Sequence, residues 1–293
     1  FPNYTPAGDD KPIEALYALI TLFTKRLGGG YYTFIFVMAV ISLSIKFFCF
    51  KKMSNSFYAS LLLYVAVYMT NDVGQIRNGF SSGLMLLGVY FLYHAKPLVT
   101  GLVLTSAMLV HLTASLSFLI YVVRFFSNQI TMLFFLLFFF ATAAMGGLGM
   151  KLVELLVTAA GLGREFRIIR YVGTDYAESY TVLGGTVLLH MLVAVLAIFF
   201  KRRLVAVNAY NSLLIPIYVY GFCLMLLFVD YGIVLARIKD LFCLPASMVL
   251  IPSFIFILKG NGKLVGYLGV MMYAMVLFFF YKPGMPYLNI IFN

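Results

Sequence analysis

Arginines, one histidine and a set of tyrosines are the residues here whose types and spacing suit chemistry. Arg164, Arg167 and Arg170 recur every third position. On a helix such residues drift by about 60° per step and share one broad face. Tyr171, Tyr176 and Tyr180 follow them. A planar guanidinium grips phosphate at two points, so this face suits a phosphorylated ligand. It equally suits anionic lipid headgroups beside an aromatic belt. Arg77 stands at a polar break between two apolar runs and opens a stretch of small residues, Gly79, Ser81, Ser82 and Gly83. An arginine at a helix N-terminus adds to its positive end, and small residues let a second helix come close. A dianionic or diphosphate ligand fits such a place; an internal pair with Asp72 is the rival reading. His111 ends one short apolar run and starts the next, where a histidine is either a hydrogen-bonded packing element or a proton carrier. Arg237, Lys239 and Asp240 follow the apolar run 204–231, and Tyr281, Lys282 and Tyr287 lie near the C-terminus. His94 and His190 attract no functional role.

Other chemistries find little support. Cys49, Cys223 and Cys243 all lie in apolar runs without C-x-x-C or Cys/His spacing, so neither a disulfide framework nor a metal site is expected. There is no P-loop, no G-x-G-x-x-G after a strand and no H-E-x-x-H. Gly79-Phe80-Ser81-Ser82-Gly83 formally matches G-x-S-x-G, but the hydrolase elbow needs a preceding strand and an apolar helix precedes this one. A rhomboid-like intramembrane serine protease, with His111 or His190 as base, is the remote alternative. The polar stretch from Phe1 to Lys11 is not a signal peptide, and an earlier segment is expected ahead of it.

The elements that must position these residues are membrane helices. Of 293 residues, 63% are apolar and 11% charged, and the mean hydropathy is +1.01. So few charges cannot cover a soluble surface. A soluble enzyme, a nucleic-acid-binding domain and a disordered chain are excluded, and no nucleic acid is expected despite the net charge of +11. The expectation is an all-α polytopic integral membrane protein, one transmembrane domain over 1–293, with about ten membrane helices. The apolar runs are 31–50, 57–71, 79–93, 98–110, 112–123, 130–149, 181–200, 204–231, 241–258 and 264–281.

Four of these runs are too short to span a ~30 Å hydrocarbon core, which takes about 20 helical residues. They read as two helical hairpins, 57–71 with 79–93 and 98–110 with 112–123, whose tips carry Asp72, Arg77 and His111 below the membrane surface. Polar groups at that depth need a covering of protein or a water-filled cavity. Folding the chain this way collects Lys51, Lys52, Lys96, Arg124, Lys201, Arg202, Arg203, Lys259 and Lys263 on one side with no acid, Lys46 snorkelling towards it. All ten acids fall on the other side. The acid-free side reads as cytoplasm. Residues 151–180 then form an outer interfacial loop with a short amphipathic helix.

At these residues the sequence resembles the EpsG-like branch of the Wzy polysaccharide polymerases. Gln75-Ile76-Arg77-Asn78-Gly79-Phe80 with Ser81-Ser82 is similar to that family's I-R-Q-G segment. Val110-His111-Leu112-Thr113-Ala114-Ser115-Leu116 is similar to its F-H-x-S-A-L segment. Ala236-Arg237 resembles a late arginine position, Tyr281 to Asn289 resembles a closing Y-x-x-x-x-P-Y-x-N, and Glu14-Ala15-Leu16-Tyr17 resembles an early segment. Asn78 stands where the family has Gln, Ser81-Ser82 replace small-Ala residues, and the family's first helix is expected to be missing from this chain.

The resemblance implies a GT-C-type glycosyltransferase in the bacterial inner (cytoplasmic) membrane. Such an enzyme moves a growing glycan from undecaprenyl diphosphate onto a new lipid-linked repeat unit, on the membrane's outer face. It implies His111 and Arg77 as catalytic residues, and Arg77, Arg164, Arg167, Arg170, Arg237, Tyr171 and Tyr287 as contacts to the lipid diphosphate or glycan. It implies no cofactor and no metal. The expected partners are the lipid-linked donor and acceptor, membrane lipids and a chain-length-determining membrane protein. A polyprenol-linked sugar flippase or other transporter remains the main alternative, although no internal repeat of the kind transporters show is visible.

Overall fold

The computed structural model describes residues 14–68, 72, 75–126, 129–148, 151, 155 and 183–280. Among them every regular element is a helix. They run α1 (Ala15–Arg26), α2 (Tyr31–Met53), α3 (Phe57–Tyr68), α4 (Ile76–Tyr93), α5 (Pro97–Val110), a 3-10 turn (Leu112–Leu119) leading into α6 (Ile120–Phe126), and α7 (Ile130–Met145). From residue 183 onwards come α8 (Gly185–Phe199), α9 (Lys201–Val207), α10 (Asn211–Leu227), α11 (Gly232–Ile238), a π turn (Lys239–Cys243), α12 (Leu244–Leu250), α13 (Pro252–Ile257) and α14 (Gly262–Phe280). Tyr31–Met53, Gly232–Ile257 and Gly262–Phe279 are long and apolar enough to cross a membrane, and six shorter helices among the described residues are apolar too. The protein is thus an all-helical membrane protein, while the expectation of about ten spans goes further than these lengths.

Of the two expected hairpins only the second forms: α5 packs on the 3-10 turn that follows it, whereas α3 packs chiefly on α14 and α12, and the 18-residue α4 packs on α5 and α2 rather than on α3. α3 has 12 residues and α5 has 14, so they reach about 18 and 21 Å at 1.5 Å per residue. The turn from α4 to α5 is tight, with Ala95 in the left-handed region at φ 55°. Tyr121 then donates to the Pro97 carbonyl at 2.6 Å, and His94 Nε2 lies 3.0 Å from the Tyr210 hydroxyl. At the same end of the bundle Asn208 donates to the Met53 carbonyl at 2.6 Å, Asn55 to the Val207 carbonyl and Ser253 to Asn55. These bonds gather the chain at the acid-free end, beside Lys51, Lys52, Arg202 and Arg203. They also divide the run read as 204–231. Asn208 Oδ1 accepts from the Tyr210 backbone N–H, which stops α9 and lets α10 begin afresh.

Two expectations are corrected here. Lys46 does not snorkel: it is buried, and its Nζ lies 2.6 Å from each oxygen of Asp72. The Asp72 carboxylate also accepts from Ser42 at 3.0 Å and Tyr64 at 2.9 Å. Gly83 makes room for the lysine stem, since a Cβ there would meet Lys46 Cγ at 3.3 Å. Asp72 is therefore fully engaged and is not the partner of Arg77. Likewise Lys239 and Asp240 do not lie in an outer loop. The helix continues from Gly232 through the π turn, and both residues are buried in it, 3.6 Å apart. Opposite charges side by side partly neutralise each other and permit this depth. The turn also lies close against α10, where a Cβ on Gly221 would overlap that of Phe242.

Candidate functional site

Arg77 occupies the first turn of α4, and His111 occupies the break between α5 and the 3-10 turn. The break is real backbone geometry: His111 is extended (φ −154°, ψ 119°), and its carbonyl accepts from Ala114 N–H to start the new turn. α4 and α5 pack side by side, with Ser81 of α4 donating to the Ala107 carbonyl of α5 at 3.2 Å. That antiparallel packing brings the start of α4, with Arg77, beside the end of α5, with His111.

A third residue joins them. Glu14, immediately ahead of α1, has one carboxylate oxygen 2.7 Å from Arg77 Nη1 and the other 3.5 Å from His111 Nδ1. The Arg77 guanidinium also lies over the Tyr17 ring, 5.3 Å from its centroid. The Arg77 side chain stays 46% exposed while Glu14 and His111 are nearly enclosed, at 13% and 11%. One face of the guanidinium fork is thus tied down and the rest is open to a ligand. Arg237, in the last turn of α11, is near enough for its charge to act on His111.

The electrostatics set the protonation states. Burial pulls the His111 imidazole below its ordinary value, and Arg237 and Arg77 pull it further, against an opposing pull from Glu14. His111 is therefore neutral at pH 7. Burial pushes the Glu14 carboxyl up, but its own backbone hydrogen bond and Arg77 outweigh this and leave it below the usual value. Glu14 is ionised. A carboxylate beside Nδ1 favours the proton on that nitrogen and leaves Nε2 as the basic atom. Nε2 lies 3.3 Å from the Thr113 hydroxyl.

The structure brings together Arg77 and His111 through Glu14, with the Arg237 charge acting on His111. Arg164, Arg167, Arg170, Tyr171 and Tyr287 lie outside the described residues. Glu14 and Tyr17 were not read as site residues; the only signal for them was the early Glu14-Ala15-Leu16-Tyr17 segment. The protease geometry does not form. Ser81 donates to the Arg77 and Ala107 carbonyls and Ser82 to the Gly79 carbonyl, while His190 is fully buried with Nδ1 2.7 Å from the Tyr218 hydroxyl. No group of three or more His, Cys, Asp or Glu side chains suited to a metal ion occurs among the described residues.

No curated protein and no solved structure matches the sequence. The EpsG family profile, however, matches residues 2–290, nearly the whole chain. With apolar helices throughout and the I-R and F-H segments meeting at one place, the chain belongs to the EpsG family, as a polysaccharide-polymerase-like membrane protein.

Proposed function

We propose that this protein is a GT-C-type membrane glycosyltransferase that polymerises undecaprenyl-diphosphate-linked repeat units on the outer face of the bacterial inner membrane. The observation that carries the reading is the meeting of Arg77 at the start of α4, His111 at the end of α5 and Glu14 ahead of α1. An acceptor sugar hydroxyl attacks the anomeric carbon of the donor glycan, and the bond from that carbon to the diphosphate oxygen breaks. His111 Nε2 takes the hydroxyl proton, and the leaving diphosphate keeps the bonding electrons. Arg77 and Arg237 stabilise its charge, which is the larger catalytic term. With Nη1 held by Glu14, the other N–H groups of Arg77 remain for the phosphate oxygens. Arg164, Arg167, Arg170, Tyr171 and Tyr287 are proposed contacts to the diphosphate or glycan, and a chain-length-determining membrane protein is the proposed partner.

Purified protein supplied with lipid-linked repeat units is expected to build a polymer ladder in the presence of EDTA, because arginines supply the positive charge. Single repeat units only, or a ladder that needs Mg²⁺, would defeat this reading. The acid-free end is proposed to face the cytoplasm. A cysteine at Asn261 should then resist a membrane-impermeant thiol reagent in intact cells while one at Thr174 reacts; the opposite labelling would invert the topology.

The proton-carrier role of His111 predicts a pH profile. A base must be neutral, so the acidic limb of kcat/KM is expected below the ordinary histidine value of about 6.5. Removing a positive neighbour raises an imidazole pKa, so Arg237→Gln is expected to move the residual activity's limb to higher pH. Removing the negative neighbour does the reverse, so Glu14→Gln should move it lower. A histidine serving only as packing predicts limbs that do not move.

A further inference from the structure

The acid-free end of the bundle carries a feature that the reaction does not use. An open apolar cleft of about 480 Å³ lies between α8 on one side and α13 and α14 on the other, with Arg203 at its mouth. A second cleft of about 470 Å³, floored by Phe134 and Ile198, has Arg202 and Arg203 at its mouth. Phe200 and Arg203 line both. Arg202 and Arg203 are exposed, and no ion pair involves them among the described residues. Lys259 and Lys263 are exposed at the same end. The cleft walls are apolar side chains left open to the surroundings, with Leu192 56% and Met272 67% exposed.

The length of the first cleft limits its occupant. Its α8 wall runs from Leu189 to Phe200 and its α14 wall from Gly266 to Val276, which is about 15 Å along each helix axis. That is half of a ~30 Å hydrocarbon core. A helix from another protein would extend across both leaflets, whereas a lipid of one leaflet ends where this cleft ends. The cationic mouth, without an acid among the described residues there, requires an anionic headgroup. Two clefts that share Phe200 and Arg203 take two chains.

We propose that the two clefts lined by Phe200 form a binding site for an anionic phospholipid, with its phosphate on Arg202 and Arg203 and its acyl chains along the clefts. Arg203 faces both clefts and is the phosphate's main contact. Gly269 keeps the first cleft open, since a Cβ there would meet no atom within 4 Å. A larger side chain at that position would fill the space of the lipid chain without displacing the protein's own atoms.

The test uses purified full-length protein in detergent with phosphatidylglycerol or phosphatidylcholine, read by native mass spectrometry and by thermal melting. Wild type is expected to retain phosphatidylglycerol in preference to phosphatidylcholine and to melt higher when it is added, as for any ligand of the folded state. The pair Arg202→Gln with Arg203→Gln should weaken retention by about tenfold or more, given about one factor of five per basic residue near an anionic surface. Gly269→Leu should weaken it while leaving the lipid-free melting temperature unchanged, which separates occupancy of the cleft from a folding defect. Equal binding of the two lipids, preference for a polyprenyl monophosphate over phosphatidylglycerol, or a dimer that closes the cleft would each overturn the proposal.

Discussion

Arg77→Lys is expected to cut polymer formation by about a hundredfold at unchanged protein level in the membrane. The number follows from losing two charge-assisted hydrogen bonds, together worth about 3 kcal/mol, at about 1.4 kcal/mol per factor of ten. In the structure the guanidinium does two jobs at once. Its Nη1 meets Glu14 at 2.7 Å, and its carbon sits over the Tyr17 ring at 5.3 Å. That leaves its other donors fixed in direction, a geometry that a lysine ammonium cannot copy on a flexible stem. Lysine would keep the positive charge and meet Glu14, yet present no fork to a diphosphate. Arg77→Ala should be worse still, because it also leaves Glu14 beside His111 without its cation. Ladders from Arg77→Lys, Arg77→Ala and wild type, compared at matched amounts in membranes, decide the matter. Full-length ladders from Arg77→Lys would remove the two-point phosphate role and transfer it to Arg237, Arg164, Arg167 or Arg170.

Much of this site was legible before any coordinates. Arg77 and His111 each stand at a break between apolar runs, and those breaks are helix ends in the structure: the start of α4 and the end of α5. Their meeting follows from α4 packing on α5, which small residues at Ser81 and Ser82 permit. Glu14 was not legible as their bridge. Its sequence distance from both is large, and nothing local to Glu14-Ala15-Leu16-Tyr17 indicates which helix end α1 will reach. The charges inside the bundle were misread for a common reason. A lone lysine in an apolar run, such as Lys46, looks like a residue that reaches for water; the partner that keeps it inside is 26 positions away. Lys239-Asp240 looks like the end of a span, because adjacent charges usually stop one. Only the tertiary neighbours of α11 and the π turn reveal a pair that stays buried.

The pair Lys46–Asp72 leads to the second large effect, on stability rather than on the reaction. Asp72 accepts from Lys46, Ser42 and Tyr64, and both charged side chains are about 95% buried. Removing one partner leaves the other charge enclosed, at a cost of about 3–5 kcal/mol. Lys46→Met and Asp72→Leu are therefore each expected to lower the melting temperature of the purified protein sharply and to reduce its amount in membranes. Replacing both charges with apolar side chains removes the unpaired charge, so the double variant Lys46→Met/Asp72→Leu should recover most of the loss. A single variant that melts like wild type would show that the pair is not made. The same three proteins also separate the two neighbouring arguments. If Asp72 were the partner of Arg77, its removal would hurt activity per molecule as much as Arg77→Ala does. The observed geometry instead predicts fewer molecules for Asp72 variants and less active molecules for Arg77 variants, because Asp72 holds α2 to the segment leading into α4 while Arg77 stays half-exposed beside Glu14.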